Sequence, residues 1–217
     1  MNEPANGFEF LARFRQTNGN WAPKYSDFLL YLENKARQKK VPVSGQFELM
    51  SPVGQCGLPA GTWKGLIRQA WEAGMIHATL AGADRLDGPV FEELFLYLHS
   101  LGCQVSVVTD GALLDEERIR FFTEHMPMTI RVTGGLTKET CAAIDTGLPI
   151  RIAGVDNMAC DREQPLFILD WNGTLKAYPD GAAADALRDG VRASWEKICR
   201  EGDSRPEPVC EACVSAV

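Results

Sequence analysis

The chain has 217 residues, of which 45% are hydrophobic, 24% charged and 9% aromatic, as in a folded globular protein with room for one α/β domain and a small appendage. Twenty-nine acidic against 22 basic residues give a formal net charge of -7, which disfavours nucleic acids and anionic membranes as partners. Because the N-terminus lacks a signal-peptide pattern and no stretch is apolar enough to span a membrane, we expect a cytoplasmic protein.

Residues 1–44 form a predicted N-terminal helical segment. One helix is expected at 8–15 and a second at 27–40, where Ser26 is a suitable N-cap and the run from Phe28 to Leu32 supplies an apolar side. Pro42 ends the second helix.

From Gly45 to Asp156, strand and helix patterns alternate, which is typical of parallel sheets with crossover helices. Because such crossovers are right-handed, we expect either an open parallel sheet of about five strands or a partial (β/α) barrel, and the pattern does not separate the two. The predicted strands are 46–50, 76–80, 104–109, 128–132 and 149–155, and the predicted helices are 61–73, 89–101, 115–124 and 138–145.

The pattern changes after Asp156. Residues 166–178 read as two short strands joined at Asn172-Gly173, a strong hairpin signal. A helix is expected over 182–199, followed by a polar stretch that leads to the terminal Cys210 and Cys213. We therefore expect residues 157–217 to form a separate small module, beside an α/β unit at 45–156.

The segment 42–49, Pro-Val-Ser-Gly-Gln-Phe-Glu-Leu, resembles the start of the first barrel strand in radical SAM/SPASM peptide-modifying enzymes. In that family the next loop carries a C-x3-C-x2-C motif that holds the catalytic iron-sulfur cluster. On this alignment the three ligand positions fall on Val53, Gly57 and Ala60, and Cys56 stands one position out of register. The resemblance therefore implies that the cluster ligands are missing.

The resemblance continues through the α/β unit. Residues 79–86 stand in place of the family's T-G-G-E-P-L motif, which binds the amino group of S-adenosylmethionine, and leave Gly82, Ala83 and Asp84 as degenerate cofactor-binding positions. Residues 107–117 are similar to the family's T-N-G-T-L-L segment, with aspartate at 110. Weaker matches at 130–132 and 137–140 resemble the fourth strand and the segment that follows it.

The C-terminal cysteines are candidate metal ligands. Cys160, Cys210 and Cys213 fall in the order of a shortened SPASM domain, whose cysteines bind auxiliary iron-sulfur clusters, and Cys199 or a partner's residue is a candidate fourth ligand. An iron-sulfur cluster or zinc is therefore one reading. The other is that these are leftover thiols, since structural sites usually need four ligands and only three are in register.

Reductive cleavage of S-adenosylmethionine needs a cluster iron with an open coordination position. Without the three thiolates we expect neither that chemistry nor the cofactor, and we assign no catalytic residue. The leading hypothesis is a pseudoenzyme that acts as a binding or scaffold subunit, for an active radical SAM enzyme or its precursor peptide in peptide or cofactor maturation, or as a homodimer. A half-barrel edge left open for strand addition motivates it.

Two other functions remain open from the sequence. One is a small iron-sulfur or zinc protein built on the C-terminal cysteines. The other is an enzyme with non-radical acid–base chemistry in the cleft, using Asp84, Asp110 or Glu116.

The remaining candidate residues have structural interpretations. Gly134-Gly135 is expected to form a turn rather than a phosphate site. The three histidines, His77, His99 and His125, are expected to be structural because their spacing in the sequence is not that of metal ligands.

Overall fold

The computed structural model describes six stretches of the chain, residues 41–50, 57–82, 89–135, 147–152, 166–177 and 181–202, together with Thr137, Lys138 and Ala142. The helices predicted at 8–15 and 27–40 lie outside these residues. The strands are β1 Ser44–Glu48, β2 His77–Ala81, β3 Gln104–Thr109, β4 Thr129–Val132, β5 Ile150–Ile152, β6 Phe167–Leu169, β7 Thr174–Ala177 and β8 Ala183–Asp185. The α-helices are α1 Ala60–Glu72, α2 Pro89–Ser100, α3 Glu116–Glu124, α4 Ala186–Asp189 and α5 Val191–Gly202, with a 3₁₀ turn at Gly111–Leu113.

Within the described residues the strands form one mixed sheet in the order β5-β4-β3-β2-β1-β6-β7-β8. Strands β1 to β5 are parallel and follow one another in chain order. Their bounds agree with the predicted strands to within two or three residues. Among the described strands β5 and β8 are the outer ones and do not pair with each other, so the described sheet is not closed. Since a partial barrel is not closed either, both architectures expected from the sequence fit this strand order.

The helix boundaries have local causes. Asp115 caps α3, since its carboxylate accepts a hydrogen bond from the Arg118 N–H at 2.8 Å. Gly74 and Gly102, with φ of 116° and 77°, follow α1 and α2 and supply the left-handed residue that ends each helix. Of the helix predicted at 138–145, only Lys138 and Ala142 are described, and both are helical.

The helices pack on one face of the sheet. Trp63 of α1 meets Phe47 of β1 edge to face at 6.2 Å between ring centroids, and Trp195 of α5 lies 6.1 Å from Phe167 of β6. Phe91 and Phe95 of α2 contact Phe121 and Phe122 of α3 in an aromatic cluster. Since α1 also packs against both α2 and α5, the described helices form a continuous layer over the apolar core.

The expectation of a hairpin apart from the main sheet was wrong. Strands β6 and β7 do form the hairpin, with a short loop in which Gly173 has a φ of 86°. However, β6 pairs in parallel with β1, so the hairpin extends the α/β sheet rather than starting a sheet of its own. The boundaries proposed at residues 44 and 156 remain predictions.

The helix predicted over 182–199 was wrong at its start and is interrupted once. Residues 183–185 form the edge strand β8, and residues 186–189 form the short helix α4. Gly190, with a φ of 80°, separates α4 from α5. The alanine-rich composition of 182–186 favours a helix, but pairing of Leu175 with Ala184 in the sheet outweighs this propensity.

A glycine explains why β6 can join β1. Gly45 pairs with Phe167 in the parallel register, and a Cβ at Gly45 would lie 2.2 Å from Cζ of the Phe167 ring. The ring therefore occupies the space that any other residue at 45 would fill. Phe167 is fully buried and also meets Phe47 edge to face at 6.1 Å, so this contact joins the hairpin to the core.

Replacing Gly45 with alanine is expected to destabilise the protein by about 1–3 kcal/mol, because the methyl group displaces the Phe167 ring in a packed core. Gly65→Ala is the matched control. Gly65 is exposed on α1, and a Cβ added there would meet nothing within 4 Å, so alanine should stabilise the helix by up to about 1 kcal/mol. Urea unfolding followed by circular dichroism measures both, and equal effects of the two substitutions would contradict the proposed contact.

Candidate functional site

The sheet face opposite the helices is polar. In β1, Gly45, Phe47 and Leu49 face the helices, so Ser44, Gln46 and Glu48 lie on the other face. The register extends this alternation across the sheet, because residues paired in parallel strands share a face. The residues on this polar face, opposite the described helices, form three lateral rows: Ser44, His77 and Gln104; Gln46, Thr79, Ser106 and Thr129; and Glu48, Ala81, Val108 and Arg131.

His77 is at the centre of a buried hydrogen-bonded group on this face. Its Nδ1 lies 3.3 Å from the Ser44 hydroxyl, and its Nε2 lies 3.0 Å from the Ser106 hydroxyl. All three residues are at most 3% exposed. The imidazole therefore links β1, β2 and β3 with both of its nitrogens engaged, in agreement with the structural role expected for it.

Burial, and to a lesser extent the positive charge of Arg131, lower the pKa of His77 to about 4. The imidazole is thus neutral at physiological pH. A neutral ring donates one hydrogen bond and accepts the other, so the two serine hydroxyls must adopt complementary roles. This arrangement favours a fixed polar core over a base that exchanges protons with solvent.

The sequence pattern identified His77 only as a structural residue and did not single out Arg131. A sequence signal for this polar face does exist. The segments Ser44-Gly-Gln-Phe-Glu48 and His77-Ala-Thr-Leu-Ala81 place polar and apolar residues largely at alternate positions. A parallel strand covered by helices on both faces should be continuously apolar. The alternation therefore indicates a sheet with one polar face.

The positions that correspond to cluster ligands do not form a cluster site where they are described. A Cβ at Gly57 would lie 2.1 Å from the Leu49 carbonyl oxygen and 3.5 Å from that of Trp171, so no side chain fits there. Ala60 begins α1 and is half-buried. Val53, the first of the three positions, lies outside the described residues. The second ligand position therefore does not fit a thiolate in this backbone.

Of the degenerate cofactor positions, only Gly82 is described. It has a φ of 71°, and a Cβ there would lie 3.2–3.4 Å from backbone atoms of Leu49 and Met50. Gly82 thus allows the ends of β1 and β2 to approach closely, which is a structural reason for glycine. Ala83 and Asp84 lie outside the described residues, so the proposed roles of these two residues stay predictions.

Asp110 and Glu116, the described candidates for acid–base chemistry, have structural surroundings. The Asp110 carboxylate accepts a hydrogen bond from the Ala112 N–H at 2.8 Å and caps the 3₁₀ turn. Glu116 is exposed in the first turn of α3, where a negative charge suits the helix dipole. The two residues belong to separate local motifs, and no described contact joins them.

Gly134 and Gly135 lie against Asp110 in a turn after β4. The Gly111 N–H donates to the Gly134 carbonyl at 2.7 Å, and a Cβ at Gly135 would lie 1.8 Å from an Asp110 carboxylate oxygen. A carboxylate packed on the glycine pair repels phosphate. These contacts agree with the expected turn.

The proposed cysteine site is only partly visible. Cys199 is half-buried on α5 and packs against the apolar core. Cys160, Cys210 and Cys213 lie outside the described residues, so the set of four remains a prediction. In the described stretches no group of three or more histidine, cysteine, aspartate or glutamate side chains is arranged to hold a metal ion.

Among these same stretches, none of the helices is long and apolar enough to cross a lipid bilayer.

Comparisons with known proteins give structural matches only. No family model matches the chain, and no curated protein matches it. Among solved structures, SuiB of Streptococcus suis bound to precursor peptide SuiA matches with 13% identity and a TM-score of 0.39, over 61% of this chain and 31% of that one. SuiB bound to S-adenosylmethionine matches with 10% identity and a TM-score of 0.42, over 90% of this chain and 70% of that one.

The chain thus spans about a third of the length of the first SuiB chain and 70% of the second. At this level of similarity the matches carry no conclusion about activity or ligands.

The low pKa of His77 predicts a pH-dependent stability. The folded protein keeps His77 neutral down to about pH 4, while the unfolded chain protonates it near 6.5. This contribution to the free energy of unfolding is therefore fully present above pH 6.5 and is lost as the pH falls towards 4, amounting to roughly 3 kcal/mol.

Urea unfolding of wild type and His77→Gln between pH 7.5 and 4.5 measures this effect. Glutamine keeps a donor and an acceptor near the two serines but does not titrate. Wild type should lose roughly 2–3 kcal/mol more than the variant over this range, because all other titrating groups are shared. Parallel pH profiles for the two proteins would contradict a buried neutral His77.

Proposed function

We propose that this chain is a non-catalytic relative of radical SAM peptide-modifying enzymes that acts as a binding subunit for an active enzyme of that class or for its precursor peptide. The relation rests on the sequence resemblance over residues 42–155. The observation that carries the proposal is the geometry at Gly57, where the backbone of Leu49 occupies the space of a ligand side chain. A protein that keeps the scaffold without this ligand is better suited to binding than to radical chemistry.

One end of the polar face supports a binding role. Its half-buried residues include Gln46, Glu48, Val108 and Arg131 near the carboxyl ends of the strands, the end at which parallel α/β sheets commonly bind ligands. The opposite end of the same face is buried around His77, together with Ser44 and Ser106. The half-buried end is therefore the part of this face that supports binding.

The edges of the described sheet bear on the strand-addition idea. The β1 edge is occupied by β6, so it does not accept a peptide strand. The two outer strands, β5 and β8, have only three residues each, Ile150–Ile152 and Ala183–Asp185, which is short for strand addition. A peptide is therefore better accommodated at the half-buried end of the polar face than at these edges.

The direct test uses the full chain purified under anaerobic conditions with the radical SAM enzyme encoded nearest to it and with that enzyme's precursor peptide. We expect a stable complex with the enzyme in size-exclusion chromatography, or a rise in fluorescence anisotropy of the labelled peptide. The chain alone, supplied with iron, sulfide, reductant and S-adenosylmethionine, should produce no 5'-deoxyadenosine. A lone monomer that binds neither probe would contradict the proposal, as would 5'-deoxyadenosine formation by the chain alone.

Restoring the missing cysteines should not restore a cluster. Gly57→Cys is expected to lower the melting temperature by several degrees, because its Cβ overlaps the Leu49 carbonyl, whereas Ala60→Cys at the start of α1 should change it little. The triple variant Val53→Cys/Gly57→Cys/Ala60→Cys, reconstituted with iron and sulfide, should lack absorbance near ~400 nm. Stoichiometric iron and sulfide in a folded triple variant would show that the backbone accepts a cluster.

A further inference from the structure

The amino half of the polar face is more deeply buried than the described helices explain. Ser44, His77, Thr79, Ser106 and Thr129 are each at most 5% exposed. The described helices pack on the opposite face of the sheet, so they do not cover these side chains. Neighbouring strands shield such side chains only laterally. Since these exposures are those of a single chain, another part of the chain itself covers this half of the face.

The hydrogen bonds within the buried group allow an apolar cover. Both nitrogens of His77 are engaged by the hydroxyl groups of Ser44 and Ser106, at 3.3 and 3.0 Å. A covering segment therefore need not supply a donor or an acceptor to the imidazole. What remains to be covered is largely carbon, as in the imidazole ring and the Thr79 methyl group. Apolar side chains suit such a surface best.

The chain enters the sheet at the end where this group lies. Val41 is half-buried against the core and stands three residues before Ser44. The Val43 N–H donates to the Val41 carbonyl at 3.0 Å, and a Cβ at Gly74 would lie 2.7 Å from Cγ1 of Val41. These contacts hold the start of β1 beside the turn that follows α1. The segment that precedes Val41 is therefore joined to the sheet next to Ser44 and His77.

Among the parts of the chain outside the described residues, 27–40 joins β1 directly and has the apolar side chains that such a cover requires. Residues 28–32 are Phe-Leu-Leu-Tyr-Leu, five large side chains in succession. The connection 153–165, which leads from β5 to β6, has one valine and one methionine as its large apolar residues. Residues 203–217 follow α5, which lies on the opposite face through Trp195.

We propose that residues 27–40 form an amphipathic helix that lies across the amino half of the polar face and covers its buried side chains. The inference goes beyond the proposed function and does not depend on it. A helix of these 14 residues is about 21 Å long, and β1 to β4 span about 14 Å, so one helix reaches across all four strands. The run 28–32 and the buried group then shield each other from water.

The width of a helix explains where the burial ends. A helix with its side chains is ~10 Å wide, and successive rows of the face are ~6.6 Å apart, which is two residues along a strand. One helix along the rows therefore covers the first two and leaves the third at its margin. Glu48 and Val108 of the third row are indeed half-buried. The cover thus leaves the carboxyl end of the face as the part that a ligand can reach.

Photo-crosslinking of the full chain tests this placement. Benzoylphenylalanine replaces Phe28, which helical spacing places on the same side as Leu32, or Asn34, which it places on the opposite side. After illumination and proteolysis, mass spectrometry locates the attachment. The reagent at position 28 should attach to residues of β1 to β4 in the first two rows, such as Gln46 or Gln104. The same reagent at position 34 should give no attachment to these strands.

A second measurement follows the His77 imidazole by NMR during a pH titration, with its resonance assigned by comparison with His77→Gln. Burial lowers the pKa of His77 to about 4 in the wild type. Leu32→Gln admits water beneath the helix, so the pKa of His77 should rise to above ~5. Leu30→Gln is the matched control, because it makes the same change on the other side of the helix. It should leave the titration of His77 unchanged.

Each result supports or overturns the inference. Attachment of the reagent at position 28 only to helices of the opposite face, or to residues 153–165, would overturn it. Cross-linked dimers in place of internal cross-links would show that a second copy supplies the cover. Equal titration of His77 in Leu32→Gln and Leu30→Gln would also contradict it, and if Leu32→Gln does not fold, the cross-links decide. Neither measurement uses the enzyme or the peptide of the proposed function, so either proposal can fail alone.

Discussion

The contact between the Phe167 ring and Gly45 determines how the two parts of the chain form one sheet. Because position 45 has no side chain, the ring can lie directly over β1 and also meet Phe47 and Trp195. Strand β6 then takes the free edge of β1 in parallel register. An edge that would otherwise expose a row of backbone donors and acceptors is thereby covered within the same chain.

This pairing also leaves the sheet with two different faces. The apolar side chains of β1 to β4, β6 and β7 face a layer of helices and form the core. The other face has serine, threonine, glutamine and histidine side chains. Its buried polar side chains are stabilised by hydrogen bonds to one another, as in the group of Ser44, His77 and Ser106. Polar groups therefore contribute to the structure at one end of this face and are half-buried at the other, as Gln46, Glu48 and Arg131 are.

The sequence predicted the elements more reliably than their assembly. Strands β1 to β4 and helices α1 to α3 follow from hydrophobic periodicity and from Gly74, Gly102 and Asp115 at their ends. The pairing of β6 with β1 did not, because it depends on Phe167 filling the space above Gly45, more than a hundred residues away. The start of the helix expected over 182–199 was wrong for a similar reason, since residues 183–185 pair with β7 and helix propensity does not take such a partner into account.

The candidate site shows the same division between local and long-range information. The absence of cysteine at the positions aligned with cluster ligands is visible in the sequence, but only the backbone shows that Gly57 lies against the Leu49 carbonyl and has no room for a side chain. Likewise, Ser44, His77 and Ser106 are ordinary strand residues until the register brings their side chains together in one buried hydrogen-bonded group. Local sequence therefore predicts the strands, whereas the long-range pairing of the strands decides which side chains each position can hold.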